Sequence, residues 1–133
     1  MNKILLVNDE INITPELNKY LTGKGYLVFT TPVGDAAIRR VMKVRPSHVV
    51  LGIFMDKNSV LDTLKAIKKI DSEITVIVIA WYPDLDLARE AFRLGAHDFF
   101  VTPINLQHIE NIISLSCSKP AVKITKINIG DEF

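Results

Sequence analysis

A single cysteine, Cys117, leaves this chain with no internal disulfide and suits a reducing compartment. No motif that lowers a thiol pKa surrounds Cys117, so it is expected to be a half-buried helix residue, not a reactive thiol. Excess charge is also lacking: sixteen basic residues stand against fifteen acidic ones, a formal net charge of +1. A nucleic-acid footprint needs clustered surplus Lys and Arg, so direct nucleic-acid binding is not expected. No apolar run is long enough to span a bilayer, and the start, Met1-Asn2-Lys3, lacks the shape of a signal peptide. The expected location is the cytoplasm, with no membrane partner. Glycine-rich nucleotide loops, Walker-type loops, nucleophile elbows and Cys–His pairings are absent. His48, His97 and His108 have no metal-ligand spacing and are expected to be ordinary surface or edge residues.

What is present is a regular alternation. Residues 47–55 read S-H-V-V-L-G-I-F-M, bounded by Arg45-Pro46 and Asp56-Lys57-Asn58. Such a short apolar run suits a strand buried on both faces in the middle of a parallel sheet. Residues 4–7, 26–30, 74–80 and 98–102 predict four further strands. Five helical patterns follow them in turn. The first opens near Asn12 or at Thr14-Pro15-Glu16, where proline is best tolerated, and carries Leu17, Tyr20 and Leu21 on one side. The second opens at Gly34-Asp35, with Ile38, Val41 and Met42 as its apolar stripe. The third is capped by Asn58 or Ser59, with Leu61, Leu64 and Ile67 inward and Lys65, Lys68 and Lys69 outward. The fourth is capped by Asp84 or Asp86 and carries Ala88, Ala91, Phe92 and Leu94. The fifth carries Leu106, Ile109, Ile112 and Ile113. Strands alternating with helices predict one three-layer α/β domain with a five-stranded parallel sheet and five helices. The domain is expected to cover residues 1–117. Residues 118–133 break the pattern, and three readings stay open: a linker, an added strand, or the start of an output region.

In such sheets the chemistry gathers at the carboxyl ends of the strands. Here those ends supply Asn8, Asp9 and Glu10, then Gly52, Ala80, and Thr102 followed by Pro103. Glycine and alanine can do no acid–base, nucleophilic or metal chemistry.

Four segments in order, K-I-L-L-V-N-D-E, R-P-S-H-V-V-L-G-I-F-M, V-I-V-I-A-W-Y-P-D and L-G-A-H-D-F-F-V-T-P, give the chain its family likeness. It resembles the receiver domain of two-component response regulators over residues 1 to about 117. The resemblance implies a doubly wound sheet of order 2-1-3-4-5 and phosphotransfer from a histidine kinase to an aspartate ending strand three. It further implies Mg²⁺ on an acidic pair after strand one, a hydroxyl residue ending strand four, and a lysine before the proline after strand five. The metal and lysine offset charge on the phosphoryl oxygens, and the hydroxyl biases the switch. This chain departs from that pattern. Gly52 stands at the aspartate, Asn8 at the first acidic position, Ala80 at the hydroxyl and Thr102 at the lysine; only Asp9 and Pro103 match. The expected module is a degenerate, or pseudo-, receiver of a two-component or phosphorelay system. It is expected to act through protein contacts, without enzymatic activity of its own, with no catalytic residue, no cofactor and weak or absent Mg²⁺ binding. Asp9 is the residual weak metal candidate.

Two alternatives stay open. One is a receiver still phosphorylated at a displaced acceptor, Asp56 or Asp9. The other is a small-molecule module using the neutral crevice. In the family, the face of helix four, strand five and helix five commonly carries dimer or output-domain contacts. Trp81, Tyr82 and Phe99 are the candidate residues there, toward a protein partner, an output domain or a second copy. Trp81 is read either as an interface anchor or as a lid over the pocket. Phe99, at the family's aromatic switch position, and Phe100 are expected to rest in the core.

Overall fold

A computed structural model describes residues 2–8, 13–53 and 57–117. Five strands alternate with five helices. They are β1 (Lys3–Val7), α1 (Ile13–Gly23), β2 (Leu27–Thr31), α2 (Asp35–Val44), β3 (His48–Ile53), α3 (Lys57–Ile70), β4 (Thr75–Ala80), α4 (Leu85–Arg93), β5 (Asp98–Val101) and α5 (Leu106–Cys117). The strands form one sheet of order β2-β1-β3-β4-β5, with every neighbouring pair parallel. This is the predicted doubly wound architecture. Asp9, Glu10, Asp56, the start near Asn12, the tail 118–133 and the side chain of Cys117 lie outside the described residues.

Side chains alternate across the strands, so the sheet carries a core on each face. Leu5, Val49, Leu51, Val76 and Val78 pack with Ala37 and Val41 of α2, Leu64 and Ile67 of α3, and Leu87 and Ala91 of α4. On the other face Ile4, Leu6, Val50, Ile77 and Ile79 pack with Leu17 and Leu21 of α1 and Ile109 and Ile113 of α5. Because β1, β3 and β4 are covered on both sides, their sequences read as nearly continuous apolar runs.

Three packing expectations need correction. Met42 is exposed; α2 buries Ala37, Val41 and Val44 instead. Phe92 is half exposed, and the buried residue at the start of α4 is Leu87. Asn58 and Ser59 are helical residues in the first turn of α3, which begins at Lys57. At α4 the cap is Asp84, whose side chain accepts from the Leu87 backbone N–H.

Lys68 is not simply an outward lysine. Its ammonium donates to the carbonyls of Ser72 at 2.9 Å and Ile74 at 2.7 Å, closing the turn between α3 and β4. Its aliphatic stem fills the space a side chain would need at Gly95. Gly95 has φ +109°, and a Cβ there would lie 2.9 Å from Lys68 Cε. Gly95→Ala therefore meets two costs, a backbone conformation that L-residues avoid and displacement of the Lys68 clamp. We expect a loss of about 1–3 kcal/mol in chemical denaturation. A variant as stable as the wild type would show that Lys68 yields freely.

Candidate functional site

The carboxyl ends of β1, β3, β4 and β5 are brought level by the register. Val7 pairs with Leu51, Gly52 with Ile79, Ile53 with Ala80, and Ala80 with Val101. Asn8, Gly52, Ala80 and Thr102 thus come to one edge of the sheet, as the order of the strands requires. Gly52 is a buried residue within β3. It is not a loop glycine, and the described glycines at positive φ are Gly25, Gly34 and Gly95. Ala80 is buried at the end of β4. Asn8 prolongs the pairing of β1 with β2, its backbone N–H donating to Thr31 O at 3.1 Å.

Thr102 lies just past β5 and is tied back to β4 twice. Its backbone N–H donates to Ala80 O at 2.9 Å. Its hydroxyl donates to Trp81 O at 3.2 Å. The hydroxyl proton is thus directed at the β4–α4 connection. The peptide bond from Thr102 to Pro103 is cis. Trp81 keeps 44% of its surface exposed and Tyr82 77%. With Leu85 and Phe92 they make up half of the large apolar side chains exposed among the described residues. Phe99 and Phe100 pack against opposite cores, as expected, and both are partly buried. Phe100 meets the exposed His108 edge-on, with ring centroids 5.1 Å apart.

The two helices after β3 and β4 are joined at their starts. Asp84 Oδ2 lies 3.0 Å from Lys57 Nζ, while Oδ1 accepts from Leu87 N at 3.1 Å. The Leu87 N–H, and next the Lys57 ammonium, hold the Asp84 carboxyl below its ordinary value. A depressed folded-state pKa stabilises the fold above the ordinary carboxylate range, and that contribution is lost as pH falls through the lowered value. Asp84→Ala should therefore melt below wild type at neutral pH, with the gap closing on acidification. Asp84→Asn keeps a capping oxygen and should fall between the two. A gap that stays constant into acid would show that the charge of Asp84 contributes nothing.

A five-stranded parallel sheet wound on both faces, with its crevice at the strand ends, defines the flavodoxin-like class of α/β domains. The response regulator receiver domain model matches residues 4–114, and the chain belongs to that family. Among curated relatives, sporulation initiation phosphotransferase F of Bacillus subtilis (strain 168) is 33% identical over 111 residues, spanning 84% of this chain and 90% of that protein. Regulatory protein AtoC of Escherichia coli (strain K12) is 25% identical over 92% of this chain, which spans only 27% of that longer protein. Among solved structures, the receiver domain of NtrX from Brucella abortus superposes with a TM-score of 0.78 at 26% identity, covering 88% of this chain and 99% of that one. The beryllofluoride-activated NtrC4 receiver domain, solved as a dimer, gives 0.79 at 26% identity, covering 87% and 96%.

The family implies Mg²⁺ at this edge. The described donors there are the Asn8 amide, the committed Thr102 hydroxyl and main-chain groups, with no carboxylate among them. A hard dication is held by charged oxygens. Asp9 and Glu10, the carboxylates that the sequence puts at this edge, lie outside the described residues, and among the described residues no group of three or more His, Cys, Asp or Glu could hold a metal ion.

Sequence reasoning missed the setting of His48. It is 1% exposed, not a surface or edge residue. Nδ1 lies 2.8 Å from Ser47 Oγ and Nε2 2.8 Å from Ser116 Oγ. The signal was available: His48 sits inside a strand predicted to be covered on both faces. His97 is half-buried.

Proposed function

We propose that this receiver domain is a two-component or phosphorelay signalling module working through protein contacts, without aspartyl phosphorylation and with weak or absent Mg²⁺ binding. The observation that carries this reading is the chemistry gathered at the sheet edge. Gly52 offers no nucleophile, Ala80 no hydroxyl, and Thr102 no charge. Its hydroxyl is already bonded to Trp81 O. Phosphoryl transfer depends on positioning and on charge compensation, and both are supplied poorly by such residues. The face around α4, β5 and α5 is the proposed contact surface toward a protein partner, an output domain or a second copy. Exposed Trp81, Tyr82, Leu85 and Phe92 support it. No described helix is long and apolar enough to cross a membrane. The cytoplasm is the proposed location, without membrane or nucleic-acid binding by this domain.

The test is intact mass after incubation with acetyl phosphate and Mg²⁺. The expected result is no phosphoryl adduct. An adduct lost in Asp56→Ala or Asp9→Ala would overturn the proposal in favour of a displaced acceptor.

A further inference from the structure

We propose that the groove between β2 and α2 binds a phosphate-bearing small molecule of nucleotide size. This inference is independent of whether the strand-end crevice accepts phosphate. The groove lies at the β2 edge of the sheet, opposite the β5 edge. It is a concavity of about 470 Å³ lined by Thr30, Pro32, Ala36, Arg39, Arg40 and Lys43, together with Thr31. That volume falls within the range of small-molecule sites. Positions 36, 39, 40 and 43 are spaced by three and four residues, so α2 presents them on one flank.

The charge of the lining has one sign. Three cations converge and no carboxylate lines the groove among the described residues. The ion pairs found among the described residues use Lys57, Arg89 and Arg93, none of them these cations. In a chain of net charge +1, this is a local concentration and not a general surplus. Arg40 is also held in place. Its guanidinium lies 5.5 Å from the Phe29 ring centroid, so one face is spent on the aromatic ring. A guanidinium so stacked keeps its N–H edge for acceptors, and its planar fork matches phosphate oxygens. The rest of the lining includes the apolar Pro32 and Ala36. Several cations beside an apolar wall match a ligand with phosphate at one end and a flat, weakly polar body at the other.

The test is an NMR titration of the ¹⁵N-labelled full chain with adenosine monophosphate, using adenosine, pyrophosphate and an acidic peptide as comparisons. We expect saturable amide shifts confined to residues 29–43 with adenosine monophosphate and none with adenosine. The double variant Arg39→Gln/Lys43→Gln should bind at least about tenfold more weakly, since charge-assisted bonds are lost. Its melting curve should match wild type, both side chains being exposed. Arg40→Lys, which keeps charge but loses the fork, should bind severalfold more weakly. Absence of saturable shifts, equal affinity in the double variant, or equal shifts with adenosine would overturn the site. Binding of pyrophosphate alone would overturn its nucleotide size. Tighter binding of the acidic peptide would reassign the groove to a protein partner.

Discussion

Gly52→Asp is expected to remain unlabelled by acetyl phosphate in Mg²⁺ and to be less stable than wild type by roughly 2–4 kcal/mol. Both outcomes follow from placing a carboxylate at a buried position of the central strand. Gly52 is paired with Ile79, between the β1 and β4 sides of the sheet. A new carboxylate there must be desolvated. Among the described neighbours at the strand ends, Asn8, Ala80 and Thr102 bring no positive charge to compensate it. The same deficit defeats the chemistry. A nucleophile alone does not hold the phosphoryl oxygens, and electrostatic stabilisation is usually the larger part of catalysis. Adding Mg²⁺ should therefore raise neither the melting temperature nor the labelling. Glycine is not required here by its backbone, since it lies in an extended strand, and the charge part of the destabilisation is separable from the added volume. Gly52→Asn, which adds nearly the same volume without ionising, should be distinctly less damaging at neutral pH. Efficient Mg²⁺-dependent labelling of Gly52→Asp, with stability rising as Mg²⁺ is added, would show that the losses at Asn8, Ala80 and Thr102 weigh far less than argued.

The architecture was legible because its signals are local and repeated. Apolar runs too short for helices lie between Pro, Gly and Asp punctuation. Such runs specify buried parallel strands whatever their neighbours. The strand order needed the family resemblance, since periodicity alone does not rank strands across a sheet. Helix stripes were less secure. Met42 and Val44 both fit an apolar stripe in α2, and the structure buries Val44, on one side with Ala37 and Val41, while Met42 stays exposed. Lys68 looked solvated because its chemistry lies in what it reaches, the carbonyls of Ser72 and Ile74. At the strand ends the residue identities were readable, but the bond from the Thr102 hydroxyl to Trp81 O was not. It joins the ends of two consecutive strands across the whole of α4, and a threonine gives no hint of which acceptor it will choose.

His48 carries the other large expectation: His48→Ala should cost about 3 kcal/mol. In a domain of this size that lowers the melting temperature by about 10 °C. The ring is fully enclosed at the start of β3 and bridges two hydroxyls, Ser47 beside it and Ser116 near the end of α5. Truncation removes a ring's worth of packing and both hydrogen bonds at once. The hydroxyls keep other acceptors within reach, since Ser47 Oγ lies 3.2 Å from Lys3 O and Ser116 Oγ 2.9 Å from Ile112 O, to which a hydroxyl released by the ring can donate. The cost therefore falls mainly on the cavity and on the link between sheet and helix. Ser116→Ala keeps the packing and removes one of the two bonds, so about 1 kcal/mol is expected. The double variant should cost less than the sum, because the bond from ring to Ser116 can be lost only once. Hydrogen exchange should localise the effect, with faster exchange in the last turn of α5 in both single variants. A surface histidine would change stability by no more than about 0.5 kcal/mol on truncation. A loss that small, or strictly additive single and double variants, would mean that His48 does not fasten α5 to the sheet.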